Sequence, residues 1–197
     1  MPAKPAQRRL YCATTNPGKL REFIQIAGEV ELLPGFERIP PPEETGVTFE
    51  ENAVQKAVYY SRFCDGPLFV DDSGLEVEAL DGAPGIYSAR FAGPDASDEA
   101  NNRLVIAKMR GNTDRRARFV CVVALASRGE VMETFRGEVE GELLDEPRGS
   151  NGFGYDPLFF YPPFGCSFGE VSAEQKMQVS HRARALRAMR AYLDALP

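Results

Sequence analysis

The chain has 197 residues, of which 43% are hydrophobic and 26% are charged, enough for one sizeable core or one domain with a smaller lobe. Its 29 acidic and 23 basic residues give a net charge of −6. General binding to nucleic acid depends on neutralising phosphates, so this charge argues against a nucleic-acid partner, although a local basic pocket for a small anion stays open.

Neither export nor membrane insertion is indicated. The N-terminal segment MPAKPAQRR has no apolar stretch after its charges, and the longest apolar run, residues 119–126, is too short to cross a bilayer. The four cysteines are far apart and form no CxxC pair. We therefore expect a cytoplasmic protein with reduced cysteines and no membrane partner.

Strand and helix signals alternate in the first part of the chain. Asn16 followed by Pro17 is typical of a helix N-terminus, and Thr48 with Glu51 forms a capping-box pattern. The expected elements are a strand at 10–14, a helix from Pro17 to Gly28, a strand at 30–33 and a helix opening after Thr48. The apolar stripes expected on these helices are Leu20, Phe23, Ile24 and Ala27, then Phe49, Ala53, Ala57 and Tyr60.

Strands cluster in the second part of the chain. Arg128 and Gly129 are typical of a hairpin turn, and Ser180 is a good N-cap for a terminal helix. The expected elements are a helix at 98–109, hairpin strands at 118–126 and 131–140, strands at 142–144 and 157–161, and a helix from Ser180 with Leu186, Met189, Leu193 and Leu196 as its buried stripe. This order predicts a mixed sheet with helices packed on it.

The segment PLFVDDSGL places two carboxylates directly after an apolar run. Leu68 to Val70 has the character of a buried strand, which we expect to end at Asp71 and Asp72. Open α/β sheets bind ligands at the carboxyl ends of their strands, and adjacent carboxylates repel each other unless a cation is present. A hard metal such as Mg²⁺ is the simplest occupant. An Asx-type turn that caps the strand is an equally weighted alternative.

A possible phosphate site precedes the first helix. The loop TTNPGK, residues 14–19, would offer a helix N-terminus, and Lys19 lies in the first turn, where the helix dipole disfavours a cation unless an anion binds. The Walker A spacing is absent, and an ordinary turn with a surface lysine is the alternative.

Glu43 or Glu44 could join the aspartates around a metal. Lys56 lies near the expected buried stripe of the helix after Thr48, so its ammonium group needs a carboxylate or phosphate partner. The alternative is that Lys56 forms a structural salt bridge.

Two later segments suggest recognition of a planar ring. SNGFGYDP, residues 150–157, frames Phe153 with glycines, so the ring could stack on a base, and Asp156 could accept from a ring N–H. KMQVSHR, residues 176–182, puts His181 and Arg182 in the first turn of a helix. The alternatives are that the Phe153 ring packs into the core and that His181 is a neutral core histidine. Together these features provide what a site for a nucleoside triphosphate with Mg²⁺ needs: basic groups for the phosphates, carboxylates for the metal and an aromatic ring for the base.

The chain resembles the inosine triphosphate pyrophosphatase family over residues 10–193. The segments TTNPGK, ETGVTFEENA, DDSGLEVEAL, GAPGIYSARFAG, RARFVCVV, NGFGYDPLF and SHRARAL follow the order and spacing of that family. The resemblance implies one domain over residues 1–197, an α/β fold with an elongated mixed sheet flanked by helices, and two lobes with a central substrate cleft. It also implies a homodimer that uses Mg²⁺ to convert ITP, dITP and XTP to the monophosphate and pyrophosphate.

The resemblance also implies roles for individual residues. Asp72 would be the essential acid and, with Glu44, a metal ligand, although a one-residue slip to Glu43 is open. Asp71 and Lys56 are grouped with Asp72 as catalytic residues. The substrate contacts would be Thr14, Thr15, Asn16, Pro17, Gly18, Lys19, Ser73, Phe153, Gly154, Tyr155, Asp156, Lys176, His181 and Arg182.

The implied reaction is attack of water on the α-phosphorus, with either Asp72 or Asp71 taking the proton. A donor from His181 or Arg182 to O6 would distinguish a 6-keto purine from adenine. Three alternatives stay open: a pyrophosphatase for modified pyrimidine nucleotides, a nucleotide-binding module without catalysis, and a structural dimer whose polar loops are turns.

Overall fold

A computed structural model describes residues 9–196. Residues 1–8, on which the predicted lack of a leader segment rests, and Pro197 lie outside the described range. The helices of that range are Pro17–Ala27 (α1), Phe49–Tyr60 (α2), Asp98–Lys108 (α3), Ala173–Val179 (α4) and His181–Ala195 (α5). Its strands are Leu10–Cys12 (β1), Val30–Leu32 (β2), Leu68–Val77 (β3), Arg116–Ser127 (β4), Glu130–Leu143 (β5), Phe159–Tyr161 (β6) and Cys166–Ser167 (β7).

The strands form one sheet in the order β2-β1-β3-β4-β5-β6-β7. β1 is parallel to both of its neighbours, with Tyr11 opposite Glu31 and Leu68, whereas β6 is antiparallel to β5 and β7. Parallel neighbours need a crossover connection, which α1 and α2 provide, and antiparallel neighbours need only a turn. The predicted α/β fold with a mixed sheet and flanking helices is confirmed.

The described residues divide into two compact units. Unit 1 contains the described residues up to Asp72, Val122–Phe135 and the described residues from Leu186 onward. Unit 2 contains Ser73–Cys121 and Arg136–Ala185. The prediction of one domain over residues 1–197 stays a prediction.

The core of unit 1 holds aromatic and small side chains. Phe23 of α1 packs edge-on against Phe69 of β3, with ring centroids 5.0 Å apart. Burial of such large side chains stabilises the fold by roughly 1.5–3 kcal/mol each. The predicted α2 stripe is buried, but on α1 Ile24 is half exposed, and Leu193 and Leu196 near the chain's end are only partly buried.

The core of unit 2 is built around a group of phenylalanines. Phe119 lies 4.5 Å from Phe159 between ring centroids, and Phe159 lies 5.0 Å from Phe168. Side chains from β3, from α3 and from the residue directly after α3 also belong to this core. They are Leu75, Val77, Val105 and Met109.

The predicted helix starts are confirmed in their local chemistry. Asn16 Oδ1 accepts from Gly18 N and Lys19 N, and Thr48 Oγ1 accepts from Glu51 N. The capping box at Thr48 is only half formed, because the Glu51 carboxylate accepts from Val47 N at 2.7 Å.

The predicted end of the Asp71–Asp72 strand is wrong. β3 continues to Val77, so both aspartates lie inside the strand and the Asx-turn alternative fails. The separate strand expected at 142–144 is the end of β5, and the strand expected from Pro157 begins with a 3-10 turn at Asp156–Leu158. The short helix α4 was not predicted, although Ser172 and Gln175 form a complete capping box at its start.

The structure also describes the cysteines and the length of the helices. All four cysteines are free, in agreement with the expectation of reduced thiols. None of the helices in residues 9–196 combines the length and apolar character that a membrane crossing needs.

Candidate active site

Unit 1 gathers a lysine–carboxylate cluster that consists of Lys19, Glu44, Lys56, Asp71 and Asp72. Lys19 of α1 places Nζ 2.9 Å from Asp71 Oδ1. Lys56 of α2 places Nζ 2.6 Å from Asp72 Oδ1 and 3.3 Å from Glu44 Oε1. The structure therefore brings these predicted residues together, and of the two adjacent glutamates Glu44 is the one that contacts Lys56.

Burial and charge act against each other in this cluster. Burial raises the pKa of Asp72, and Lys56 opposes that shift only in part. Burial by itself would lower the pKa of Lys56, but the combined attraction of Asp72, Glu44 and Asp71 outweighs it and raises that pKa. Lys56 is thus a charged partner whose presence favours the ionised form of Asp72.

The donor set of the cluster fits a hard cation. Carboxylate oxygens of Glu44 and Asp72 converge on one cation, the ammonium group of Lys56. Mg²⁺ is usually held by one or two carboxylates together with phosphate and water oxygens. No group of three or more His, Cys, Asp or Glu side chains within residues 9–196 is arranged to hold a metal alone. A two-carboxylate site completed by substrate phosphates is consistent with both observations.

The predicted phosphate loop already uses several of its own N–H groups. Asn16 Oδ1 accepts from the first-turn amides of Gly18 and Lys19, and Asn16 N donates to Thr14 Oγ1 at 3.1 Å. Thr15 and Pro17 are exposed. An incoming phosphate would therefore meet a preformed turn whose amide donors are partly engaged, with Lys19 as its cation.

Unit 2 holds an aromatic–cation cluster that consists of Ser73, Phe153, Asp156, Lys176 and Arg182. Lys176 Nζ is 2.6 Å from Asp156 Oδ2 and 4.8 Å from the centre of the Phe153 ring. Arg182 donates to Ser73 Oγ at 2.7 Å, and its Cζ lies 5.5 Å from the same ring. Lys176 and Arg182 are almost fully buried, and Phe153 is half-buried. A partly exposed ring beside two cations suits stacking of an electron-rich base.

Local backbone geometry shapes the loop that carries Phe153. Asp156 Oδ2 accepts from Phe153 N at 2.9 Å. Gly152 has φ +76°, and a Cβ there would collide with the Asp156 carboxylate, so this position requires glycine. Tyr155 is buried and donates to Ser88 O at 2.8 Å, and burial raises the pKa of its hydroxyl.

The single histidine has the surroundings expected of a core histidine. His181 is buried and stacks on Phe119 with centroids 4.7 Å apart, as a core histidine would. Its neighbour in the chain, Arg182, belongs to the aromatic–cation cluster. Ser180 caps α5 by accepting from Ala183 N at 3.3 Å, so the predicted helix start places both side chains.

Three contacts to the Phe153 loop were not predicted from the sequence. Asp98 and Asn102 of α3 bond to the backbone of Gly154, and Ser88 accepts from Tyr155. The only signal in the sequence was that Asp98 and Asn102 lie four residues apart and so share one face of a helix. Such a polar pair ordinarily marks the face that is exposed to solvent. The two clusters meet in the sequence at the consecutive β3 residues Asp72 and Ser73.

A separate groove in unit 2 contains none of the predicted site residues. It is lined by charged residues of β3, β4 and β5, among them Glu76, Arg118 and Glu138. Arg118 pairs with Glu76 at 2.6 Å and with Glu138 at 3.6 Å. These charges compensate one another, so we assign the groove no role in binding.

Comparisons with known proteins give a consistent result. The sequence pattern of the Ham1 family matches residues 10–192. A dITP/XTP pyrophosphatase of Exiguobacterium is 49% identical over 187 residues, which cover 93% of this chain and 95% of that protein. A dITP/XTP pyrophosphatase of Deinococcus deserti is 50% identical over 192 residues, which cover 96% and 92%. The structure of a HAM1 protein from Coxiella burnetii superposes with a TM-score of 0.87 at 36% identity and covers 96% of this chain and all of that one.

Proposed function

Because the chain belongs to the Ham1 family, we propose that it hydrolyses the deaminated purine nucleotides ITP, dITP and XTP to the monophosphate and pyrophosphate. The observation that carries this proposal is about 50% identity, over nearly the whole chain, to proteins named dITP/XTP pyrophosphatase. The sequence resemblance to the inosine triphosphate pyrophosphatase family agrees with it. An acidic protein with two buried cations beside an aromatic ring fits a small anionic substrate that carries a base.

The lysine–carboxylate cluster would serve the phosphates. Glu44 and Asp72 would hold Mg²⁺, which when bound supplies compensation of phosphate charge. We assign the proton of the attacking water to Asp72, which pairs with Lys56 at 2.6 Å and whose pKa burial raises, so that it is the better base of the two neighbouring aspartates. Asp71 orients Lys19, which with residues 14–18 binds the phosphates. Lys56 holds Asp72 in place and favours its ionised form.

The aromatic–cation cluster would select the base. Phe153 provides the stacking face, and the guanidinium of Arg182, held by Ser73, or the imidazole of His181 donates to O6 of a 6-keto purine. Adenine presents an amino group at that position, which leaves the donor unpaired. Mismatch of this kind discriminates by about 10²–10⁵. Asp156 and Lys176 fix the loop that carries Phe153.

We also propose that the protein acts in the cytoplasm as a homodimer, without a nucleic-acid or membrane partner. The net charge of −6 disfavours association with polyanions. The dimer rests on the family resemblance alone, and sedimentation would test it directly.

Pyrophosphate release from ITP, XTP, dGTP, ATP and dTTP, with Mg²⁺ and with EDTA, tests the function. We expect release from ITP and XTP far above release from the other three, and loss of release in EDTA. Preference for dTTP would favour a pyrimidine-directed enzyme instead. Absence of release from every substrate, with nucleotide still bound, would identify a binding module.

Lys56→Met is expected to move the acidic limb of the pH profile of kcat/KM to higher pH. Asp72 acts as a carboxylate, so the rate falls as the pH drops through its pKa. Lys56 lowers that pKa against the effect of burial, and its removal therefore raises the pKa further. Lys108→Met, at an exposed position in unit 2, is the matched control and should leave the limb in place. If the acidic limb of the profile is unchanged in Lys56→Met, or moves to lower pH, Lys56 does not have the assigned role of lowering the pKa of Asp72.

A further inference from the structure

Two side chains of α3 hold the loop that carries Phe153. Asp98 Oδ2 accepts from Gly154 N at 2.6 Å, and Asn102 Nδ2 donates to Gly154 O at 3.0 Å. Asp98 and Asn102 are four residues apart and so share one face of the helix. Both polar backbone groups of one loop residue are therefore bound by a single helix face.

The conformation of the loop makes this anchoring necessary. Gly154 has φ +62°, and a Cβ there would meet no atom within 4 Å, so the position needs glycine for its backbone conformation and not for space. Glycine is the most flexible residue, and a loop with glycines on both sides of Phe153 does not hold an aromatic ring in one orientation by itself. Bonds from outside the loop have to supply that order.

The side-chain amide of Asn102 bonds to the loop through Nδ2, but within the described part of the chain its Oδ1 is left without a hydrogen bond. The residue is 6% exposed, and its Oδ1 is buried with no hydrogen-bond partner within residues 9–196. A buried carbonyl without a partner carries a desolvation penalty. Rotating the amide by half a turn would not relieve it, because Oδ1 would then face the carbonyl oxygen of Gly154. An apolar side chain would avoid the penalty but would lose the bond to Gly154.

We propose that Asp98 and Asn102 are positioning residues that set the orientation of the Phe153 ring for stacking on the substrate base. The inference rests on the proposed function, in which Phe153 is the stacking face. Phe153 N is bound to Asp156 on one side, and the Gly154 peptide is bound to α3 on the other. The ring between these two anchors also contacts Lys176 and Arg182, so its orientation affects the whole aromatic–cation cluster.

Kinetics of Asn102→Leu and Asp98→Ala test this role. We expect KM for ITP to rise roughly tenfold in Asn102→Leu, the equivalent of one lost buried hydrogen bond, with a smaller change in kcat. Inhibition by inorganic tripolyphosphate, which has phosphates but no base, should not change. Asp98→Ala should act in the same direction by a smaller factor, because Asp98 is exposed.

Asn101→Leu is the matched control. Asn101 is a neighbouring buried asparagine of α3, but its amide bonds to Ala92 N and Ala89 O and not to the Phe153 loop. It should leave KM for ITP close to the wild-type value. An unchanged KM in Asn102→Leu, or equal weakening of ITP and tripolyphosphate binding, would overturn the proposal.

Hydrogen–deuterium exchange of the ligand-free protein gives a readout that does not depend on hydrolysis. Exchange of the amides at residues 153–155 should be faster in Asn102→Leu and Asp98→Ala and unchanged in Asn101→Leu. Unchanged exchange in the first two variants would overturn the anchoring. If the wild-type protein releases no pyrophosphate from ITP, the proposed function fails, and the exchange result still judges the anchoring by itself.

Discussion

Asp72→Asn is expected to lower kcat/KM for ITP by about a thousandfold, within the range typical for loss of a general base. The amide keeps the shape of the side chain, but it neither accepts the proton of water nor supplies a charged ligand oxygen. Lys56 keeps its contact with Glu44 at 3.3 Å, so the variant should fold. Pyrophosphate release under saturating Mg²⁺, together with a thermal melt, measures both effects.

Two further substitutions make this result specific. Asp145→Asn makes the same chemical change at a carboxylate that is 95% exposed and pairs with Arg115 at the surface, and it should leave the rate unchanged. Asp71→Asn should reduce the rate less than Asp72→Asn, because Asp71 is paired with Lys19 and acts through it. Near-normal turnover in Asp72→Asn would refute its role. A larger loss in Asp71→Asn would transfer the proton-accepting role to Asp71.

Breaking the Lys176–Asp156 pair is expected to destabilise the protein more than any surface change. The two side chains are 5% and 2% exposed, and the Nζ–Oδ2 distance is 2.6 Å. Asp156→Leu leaves the ammonium group buried without this carboxylate and removes the acceptor of Phe153 N, which should cost about 3–5 kcal/mol of unfolding free energy. Urea denaturation measures that loss.

A double-mutant cycle separates the pair from its surroundings. Lys176→Met with Asp156→Leu should be less destabilised than the sum of the single variants, because no unpaired charge of the pair stays buried. The surface pair Asp114–Arg116 has the same 2.6 Å separation, but its side chains are 36% and 71% exposed, so Asp114→Ala should have far less effect. Additive single effects in the buried pair would show that Lys176 and Asp156 are not energetically coupled.

Features that depend on a few neighbouring residues were predictable from the sequence. The caps at Asn16, Thr48 and Ser180 require only a side chain and the amides two or three residues further on. The turn at Arg128–Gly129 is equally local, with φ of +53° and +84°. Predictions of this kind gave the order of the elements and hence the mixed sheet.

Features that depend on distant partners were not predictable in this way. The apolar run before Asp71 predicted that the strand ends at the two aspartates. In the structure β3 continues through them, and Lys19 and Lys56 come from two helices to compensate both carboxylates. The bonds from Asp98 and Asn102 to Gly154 connect residues more than fifty positions apart. Residue patterns and family resemblance together named the candidate site residues, whereas their pairing came only from the structure.

The ion pairs of the lysine–carboxylate cluster have a consequence for how ligands enter. The cluster contains three carboxylates and two ammonium groups, and Lys19 and Lys56 are each paired with at least one of the carboxylates. Each lysine that turns towards a phosphate leaves a carboxylate less compensated, and a divalent cation restores the balance. Nucleotide and cation should therefore bind with positive heterotropic coupling, and because such coupling is reciprocal, each strengthens the affinity for the other. If the proposed function is correct, we expect the cluster to bind the cation-bound form of a nucleotide more tightly than the free form.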